Sequence, residues 1–330
     1  MLQSTFLTHL PGPDWIPWKI FEEQDNFLCH WLYLGEKRFT EPFFSDSIQH
    51  CTNLEQNRFP NQSFSTLLQM HQWSEEVQTI EPAAIIFHVS RCGSTLLSQL
   101  LSIDPENIVL SEAPLLDELL RLPFHKRWKT SVATSDDFFH AALQLYGRPR
   151  SRLEKNLFVK TDSWHLMFHQ RVRKLYPQTP FLVLYRSPLE VIRSQKKLRG
   201  MQSVPGTIEA EVFGFSEHDI SFDLDLYMSR VLEKYYTTIL HMMEHDPNCL
   251  VVDYAEGMDQ ALDKLIKLTG LQLSPVSLEK MESRKKFHSK SPSQIFEPEP
   301  LLQDVPSFLE KSSGLYQQII AKQKAAVTQQ

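Results

Sequence analysis

The stretch that decides the fold is AAIIFHVSRCGSTLLSQLL, residues 83–101. Its first part, Ala83–Val89, is an apolar run typical of a strand that is covered on both faces in a parallel sheet. Its last part, Leu96–Leu101, is typical of a helix. The small residues Ser90–Thr95 between them place several backbone N–H groups, and the positive end of the helix, around one point. The stretch therefore predicts a phosphate site between a buried strand and a helix.

This loop lacks the features of the common nucleotide-binding loops. It has neither the second glycine nor the lysine before Ser/Thr that completes a Walker A motif, and no pair of the ten glycines has the required spacing before a lysine. A GxGxxG fingerprint is absent as well. Arg91 stands in the loop instead, and its permanently charged, forked guanidinium suits an anion that is bound without a metal. A strand–helix turn without any ligand is the alternative that this segment alone leaves open.

Apolar runs alternate with helical stretches through the rest of the chain. The further runs that predict buried strands are Ile108–Ser111, Leu157–Val159, Phe181–Tyr185 and Leu250–Val252. Leu224–Met243 repeats apolar residues at helical spacing. Strands that alternate with helices predict an α/β fold, here a three-layer parallel sheet flanked by helices within residues 81–330. We expect a long loop over residues 283–300 and a terminal helix over Pro306–Ala326.

Residues 1–80 differ in composition from the rest of the chain. They are rich in aromatic residues, among them Trp15, Trp31 and Phe43, and are interrupted by proline and asparagine. Phe27–Leu34 has the composition of a strand. We interpret residues 1–80 as an N-terminal extension or small subdomain that packs on the main domain, and no chemistry is visible in it.

The overall composition excludes several classes of protein. Of the 330 residues 42% are hydrophobic and 22% are charged, which is ordinary for a globular protein and unlike a disordered or fibrous one. The formal net charge of −6 argues against nucleic acid as a partner, so an anion site must be a local pocket. The four cysteines are scattered, and the sequence has neither a signal-peptide pattern at the N-terminus nor a membrane-spanning apolar run. We therefore expect a cytoplasmic protein without membrane contact.

A second segment supports the phosphate interpretation. The run Phe181–Tyr185 continues into Arg186-Ser187-Pro188, and Ser194 lies eight positions beyond Arg186 on the helix that Pro188 is expected to start. With the loop after the first strand, this pattern resembles the sulfotransferase family, whose members share an R/K-x-G-[ST]-[ST] loop and a strand that ends in R-x-P with a serine eight residues on. The resemblance spans roughly residues 83–290 and implies the P-loop NTPase-like fold of those enzymes.

The resemblance also implies a cosubstrate. The sulfonate donor would be 3′-phosphoadenosine 5′-phosphosulfate (PAPS), and the product would be adenosine 3′,5′-bisphosphate. Arg186 and Ser194 would hold the 3′-phosphate. The loop residues implied to hold the 5′-phosphosulfate are Arg91, Cys92, Gly93, Ser94 and Thr95.

Other basic positions match the family in part. Lys160 ends a predicted strand at the sheet edge where ligands collect, and many sulfotransferases have a lysine there that contacts the leaving oxygen. Arg284-Lys285-Lys286 and Lys290 form a basic run that is either simply solvated or similar to the late loop that covers the 3′-phosphate in the family, although the usual glycine is missing. Tyr254 follows a strand as in the family, but Ala255 replaces the usual glutamate.

Two carboxylates are candidates for the base that accepts the acceptor's proton. Glu112 follows a predicted strand 21 residues after Arg91, which is similar to the spacing in tyrosylprotein sulfotransferases. Burial in a cleft is expected to raise its pKa toward the working range. Asp162 is the alternative, because it occupies the histidine position of the K-T-H strand in cytosolic sulfotransferases. We favour Glu112. Cys92, next to the expected helix, is a space-filling thiol or one with a lowered pKa.

The resulting hypothesis is a PAPS-dependent sulfotransferase that needs no metal and acts on a hydroxyl or amine of a small-molecule acceptor. The alternatives are a nucleotide-dependent kinase on the same fold, for which we find no Walker lysine, and a non-catalytic nucleotide-binding protein. The pairs His165/His169 and His241/His245 have the i,i+4 spacing of metal ligands on a helix, but no third ligand is indicated, so we interpret them as satisfied or solvated histidines.

Overall fold

The computed structural model describes residues 5–23, 26–125, 128, 130–287 and 305–328, and a small sheet opens the chain. Its strands are β1 (Thr5–Phe6), β2 (Trp15–Glu23), β3 (Asn26–Tyr33) and β4 (Ser63–Thr66), in the order β1-β4-β3-β2. The helices α1 (Phe44–Cys51) and α2 (Leu67–Ser74) belong to the same part of the chain. Thr66 begins α2 with a capping box, in which its hydroxyl accepts the Gln69 N–H while the Gln69 side chain accepts the N–H of Thr66.

The second sheet is parallel and has five strands in the described residues. They are β5 (Pro82–His88), β6 (Asn107–Ser111), β7 (Asn156–Lys160), β8 (Phe181–Tyr185) and β9 (Cys249–Asp253), in the order β6-β7-β5-β8-β9. The chain leaves β5 toward one side of the sheet and later continues on its other side at β8. The carboxyl end of β5 is therefore a topological switch point, where open α/β sheets bind their ligands.

Helices flank the parallel sheet. The remaining α-helices of the described residues are α3 (Ser94–Ile103), α4 (Pro114–Arg121), α5 (Val132–Tyr146), α6 (His169–Leu175), α7 (Pro188–Lys197), α8 (Leu224–His245), α9 (Met258–Thr269), α10 (Pro275–Lys285) and α11 (Glu310–Thr328). α3 packs against α9 and α10, whereas α8 packs against α7 and α11. The predicted three-layer α/β architecture is confirmed. None of these helices is both long enough and apolar enough to cross a membrane.

The predicted elements agree with the structure except near the C-terminus. All five central strands lie within a residue or two of their predicted bounds, and the long helix ends at His245. The predicted loop 283–300 is wrong at its start, because residues 283–285 complete the last turn of α10. The part of that loop beyond residue 287 lies outside the described residues.

The N-terminal sheet shares its core with the parallel sheet. β2 packs on α4 and α5, and α2 packs on α5. The backbone N–H of Ile20 donates to the Glu118 carboxylate on α4 at 2.8 Å. Trp31 is fully buried, and its indole N–H donates to Ser65 at 2.8 Å. One contiguous set of buried apolar side chains joins the two sheets, while the boundary at residue 80 stays a prediction.

Two adjacent leucines of α2 test this shared core. Leu67 is 2% exposed and Leu68 is 62% exposed. We expect Leu67→Ala to lower the free energy of unfolding by about 2–5 kcal/mol, because it leaves a cavity. The control Leu68→Ala should change it by less than about 0.5 kcal/mol. Urea unfolding followed by near-UV and far-UV circular dichroism should show one shifted transition. A separate early transition in Leu67→Ala would mean that the N-terminal sheet unfolds alone.

Candidate active site

The loop between β5 and α3 has an unusual backbone. Ser90 and Arg91 are in the left-handed region, with φ of +69° and +54°, and Gly93 follows at +81° as the N-cap of α3. Left-handed residues close to one another turn successive N–H groups toward one side of the chain, which makes a concave anion site. Gly93 has no side chain that could cap α3, so no side chain covers the N-terminus of this helix, where an anion can be bound.

Neighbouring side chains hold this loop in place. Arg186, at the end of β8, donates to the carbonyl oxygen of Arg91 at 2.9 Å. The backbone N–H of Ser90 donates to Nδ1 of His88 at 3.0 Å. A Cβ atom at Gly93 would lie 3.0 Å from the Met258 methyl group and 3.2 Å from the Tyr254 ring. Glycine is therefore required at position 93 both by its φ and by the closeness of the next layer.

The loop forms one wall of a cleft of about 730 Å³, a typical volume for a small-molecule site. Three cationic and three acidic residues line it. These are Arg91, Arg186 and Lys285, and Glu112, Glu190 and Asp259. The remaining lining residues are His88, Ser90, Cys92–Leu96, Ser194, Tyr254, Ala255, Gly257, Met258 and Phe287. The structure thus brings the predicted loop residues, Arg186, Ser194, Lys285 and Glu112 to one cleft.

The two arginines have hydrogen-bonding capacity left over. Arg186 donates to Glu190 at 3.1 Å, and its guanidinium lies 4.2 Å from the centroid of the Tyr254 ring. Arg91 donates to the carbonyl oxygen of Leu198. The Nε atoms of both arginines are buried and have no hydrogen-bond partner among the described residues. Buried polar atoms without partners are rare, so a cleft lined by two such arginines fits an anionic ligand.

Glu112 and Lys160 form an ion pair at the ends of β6 and β7. The Lys160 ammonium is buried and donates to the Glu112 carboxylate, whose side chain is about one-fifth exposed. Burial alone raises the pKa of Glu112, but Lys160, with a smaller contribution from His88, outweighs it and holds that pKa well below its usual range. The expectation of a raised pKa is therefore wrong, because the Lys160 ammonium lies against the carboxylate and stabilises its charge.

Lys160 itself does not line the cleft; it lies beneath Glu112. The ring of Phe43, from the segment before α1, lies 5.6 Å from the Lys160 ammonium. The N-terminal region therefore contributes a side chain to the site, which its sequence did not indicate. Phe43 supplies an apolar wall beside a buried charge.

Asp162, the alternative base, lies outside the cleft lining. Burial, followed by the nearby carboxylates of Glu112 and Asp117, raises the pKa of Asp162 well above its usual range. Ligand-type atoms of Asp117, Asp162 and His165 lie within 4.8 Å of one another. Asp117 already accepts hydrogen bonds from Arg121 at 2.8 Å, Trp164 at 2.5 Å and His165 at 2.9 Å. This cluster is a buried hydrogen-bond network around Asp117.

The other predicted site residues are placed as follows. Burial raises the pKa of Cys92 to about 11, so the alternative of a lowered pKa is wrong, and its thiol donates to the Leu184 carbonyl at 3.4 Å. Arg284 contacts Gln99 at 2.6 Å and is not part of the cleft lining, whereas Lys285 lines it and pairs with Asp259. Lys290 lies outside the described residues.

The two histidine pairs are rearranged by the fold. His165 donates to Asp117 through Nε2 and is buried, while His169 lies on α6 with its ring 5.9 Å from that of His241. His241 and His245 stack at 4.3 Å on α8. Each of the four rings contacts a protein group, in line with the interpretation as satisfied or solvated histidines.

His88 is the main site residue that sequence reasoning did not identify. It ends β5, is 4% exposed, and lines the cleft next to Glu112. Its signal was a polar side chain within the otherwise apolar run 83–89. Glu190 was also missed, although it lies four residues after Arg186 on α7, where it pairs with that arginine.

Comparisons with known proteins gave matches among solved structures alone: no family model matches the chain, and no curated protein does. The chain is similar to sulfotransferase STF9 from Mycobacterium avium, with 13% identity over 78% of this chain and 80% of that one and a TM-score of 0.48. Sulfotransferase STF1 from Mycobacterium tuberculosis H37Rv is 15% identical over 66% and 77%, with a TM-score of 0.44. Mouse sulfotransferase SULT7A1, complexed with PAP, is 12% identical over 65% and 68%, with a TM-score of 0.37.

The Glu112–Lys160 pair generates a stability prediction. Glu112→Gln or Lys160→Met alone leaves a buried charge without its partner, which costs up to about 3–5 kcal/mol. The double variant should lose clearly less than the sum of the two single variants, because neither charge remains. Urea unfolding at neutral pH measures all three. Additive losses would show that the two side chains do not interact.

The stability difference between wild type and Glu112→Gln should depend on pH in a defined direction. The pKa of Glu112 is lower in the folded than in the unfolded protein, so its contribution to stability is present at neutral pH. That contribution should begin to fall below about pH 4.3, the ordinary value for glutamate, and continue to fall toward the depressed folded pKa. The stability difference between wild type and Glu112→Gln should therefore shrink in acid. A difference that stays constant would contradict the lowered pKa.

Proposed function

We propose that this protein is a sulfotransferase that moves a sulfonate group from PAPS to a hydroxyl or amine of a small-molecule acceptor. One observation carries the proposal. Arg91 and Arg186, each with a buried Nε that has no partner among the described residues, line one cleft with the uncapped N-terminus of α3. Two fixed cations beside the N-terminus of α3 favour a ligand with more than one anionic group.

The two arginines would bind different groups of the donor. The loop amides and Arg91 lie on the α3 side and suit the 5′-phosphosulfate, as the resemblance of the loop implies. Arg186 and Ser194, which follow β8 in the same cleft, suit the 3′-phosphate. Arg186 also donates a hydrogen bond to the Arg91 carbonyl. The residues that would bind the two ends of the donor therefore contact each other.

The transfer step needs a charge stabiliser and a base. The acceptor oxygen or nitrogen forms a bond to sulfur as the bond from sulfur to the 5′-phosphate oxygen breaks, and adenosine 3′,5′-bisphosphate leaves with the electron pair. Glu112 takes the acceptor's proton. Arg91 and Lys160, the latter in contact with Glu112, neutralise charge on the leaving phosphate. As Lys160 turns toward that phosphate, Glu112 loses part of its counter-charge, and its pKa rises toward that of a useful base.

Binding of the product nucleotide without magnesium tests the proposal. We expect adenosine 3′,5′-bisphosphate to raise the melting temperature in the presence of EDTA, since the cleft offers arginines and helix amides. Stabilisation by ATP with Mg²⁺ alone would instead favour the kinase. Binding of the bisphosphate without any transfer of label from ³⁵S-labelled PAPS to a panel of hydroxyl and amine acceptors would favour a non-catalytic nucleotide-binding protein.

Arg186→Ala tests how the donor is oriented. Loss of one charge-assisted contact should weaken binding of adenosine 3′,5′-bisphosphate roughly ten- to a hundredfold. Binding of adenosine 5′-phosphate should change much less, because it lacks the group that Arg186 is proposed to bind. Titration calorimetry measures both ligands, with the exposed Arg152→Ala as control. An equal loss for both ligands would assign Arg186 to support of the loop.

Glu112→Gln and Asp162→Asn separate the two candidate bases. Glu112 lines the cleft and Asp162 does not, so we expect Glu112→Gln to lower kcat roughly 10²–10⁴-fold and Asp162→Asn to be mild. Both variants are measured with an acceptor found in the label-transfer panel, at a temperature where circular dichroism shows them folded. A large loss in Asp162→Asn with near-normal Glu112→Gln would reverse the assignment.

A further inference from the structure

His88 is the one histidine among the described residues that lines the cleft. Its two ring nitrogens contact different parts of the site. Nδ1 accepts the backbone N–H of Ser90 at 3.0 Å, and Nε2 lies 2.9 Å from the carbonyl oxygen of Thr161. Nε2 is also 3.4 Å from the Glu112 carboxylate. A single side chain thus joins the donor loop, the end of β7 and the proposed base.

Both backbone partners fix the tautomer of this ring. A backbone N–H can only donate, so Nδ1 must carry a lone pair. A carbonyl oxygen can only accept, so Nε2 must carry the proton. The ring is therefore the neutral Nε2–H tautomer, which donates to the Thr161 carbonyl with the Glu112 carboxylate 3.4 Å from the same nitrogen. Burial, together with the Lys160 ammonium, lowers the pKa of His88 and outweighs the opposite effect of Glu112, in agreement with a neutral ring.

The two contacts of His88, with Ser90 and with Glu112, are both made to residues that have a strained backbone. Ser90 is the first left-handed residue of the donor loop, with φ of +69°, and Glu112 has φ of +57°. Such conformations persist only where the surrounding structure determines them. The Ser90 N–H bond holds the loop's first turn against β5. Nε2 lies 3.4 Å from Oε1 of Glu112, the same oxygen that the Lys160 ammonium contacts.

We propose that His88 is a positioning residue with two separable effects: Nδ1 sets the shape of the donor loop, and Nε2–H sets the orientation of the Glu112 carboxylate. The proposal rests on the proposed function, since it assigns the first effect to donor binding and the second to transfer. His88 itself touches neither the sulfonate nor the acceptor in this scheme.

Two amide substitutions separate the effects. In His88→Asn the amide oxygen can take the place of Nδ1, while the donor at the Nε2 position is lost. In His88→Gln the amide nitrogen can take the place of Nε2, while the acceptor for the Ser90 N–H is lost. One neutral hydrogen bond corresponds to roughly a three- to tenfold effect.

We expect the two variants to differ in opposite ways in donor binding and in kcat. His88→Gln should weaken binding of adenosine 3′,5′-bisphosphate about three- to tenfold, while His88→Asn binds nearly as wild type does. At saturating donor, His88→Asn should have the lower kcat. His140→Asn and His140→Gln are matched controls, because this half-buried histidine bonds Tyr176 and Gln144 and does not line the cleft. Equal losses in binding and in kcat for both His88 variants would overturn the proposal, since a purely structural role predicts no such difference.

A ligand-free measurement keeps the inference distinct from the proposed function. ¹⁵N NMR of histidine-labelled protein should show His88 as the neutral ring with an unprotonated Nδ1 at neutral pH. A protonated Nδ1 in a protein that binds the bisphosphate would overturn the role of His88 alone. Failure of the wild-type protein to bind the bisphosphate, with the expected tautomer present, would overturn the proposed function and with it the catalytic part of this proposal.

Discussion

The turn from β5 into α3 is the constraint on which the rest of the site depends. Two non-glycine residues, Ser90 and Arg91, adopt left-handed conformations there, at a cost of about 1–3 kcal/mol each. The central position of β5, between β7 and β8, allows neighbours on both sides to hold the turn. His88 binds its first N–H and Arg186 binds the Arg91 carbonyl. The strained residues therefore lie where the ends of three strands meet. Their left-handed conformations make the backbone concave, and this shape makes an anion site possible.

Electrostatic balance is the second constraint on the cleft. Arg186 pairs with Glu190, Lys285 with Asp259, and the buried Lys160 with Glu112. Buried or half-buried cations need such partners, because an isolated charge out of water is costly. The same pairs can be exchanged when a polyanion enters, since phosphate groups are stronger partners for arginine than a single carboxylate is. Exchange of these pairs is the way in which the proposed donor would enter a cleft whose cations already have carboxylate partners.

The sequence predicted what depends on local pattern and missed what depends on contacts between distant segments. Unbroken apolar runs such as Phe181–Tyr185 are strong strand signals because both faces of the central sheet are covered, and this strand has its predicted bounds. The loop and Arg186 were found because strand ends in a parallel sheet meet at one edge. The depressed pKa of Glu112 needed Lys160, 48 residues away, and the contact of Phe43 with that lysine needed the packing of a separate sheet. Neither the Glu112–Lys160 contact nor the Phe43–Lys160 contact can be predicted from the spacing of residues along the sequence.

The pairing of Lys160 with Glu112 gives the proposed reaction an order of events. With the pair intact, Glu112 is a fully ionised but weak base, because the ammonium stabilises its charge. An acceptor that entered first would meet a carboxylate with little tendency to take its proton. Once the donor phosphate competes for Lys160, the carboxylate loses part of its counter-charge while it stays buried, and its proton affinity therefore rises. The Lys160 ammonium cannot pair fully with both Glu112 and the leaving phosphate. Binding of the donor therefore makes Glu112 a stronger base.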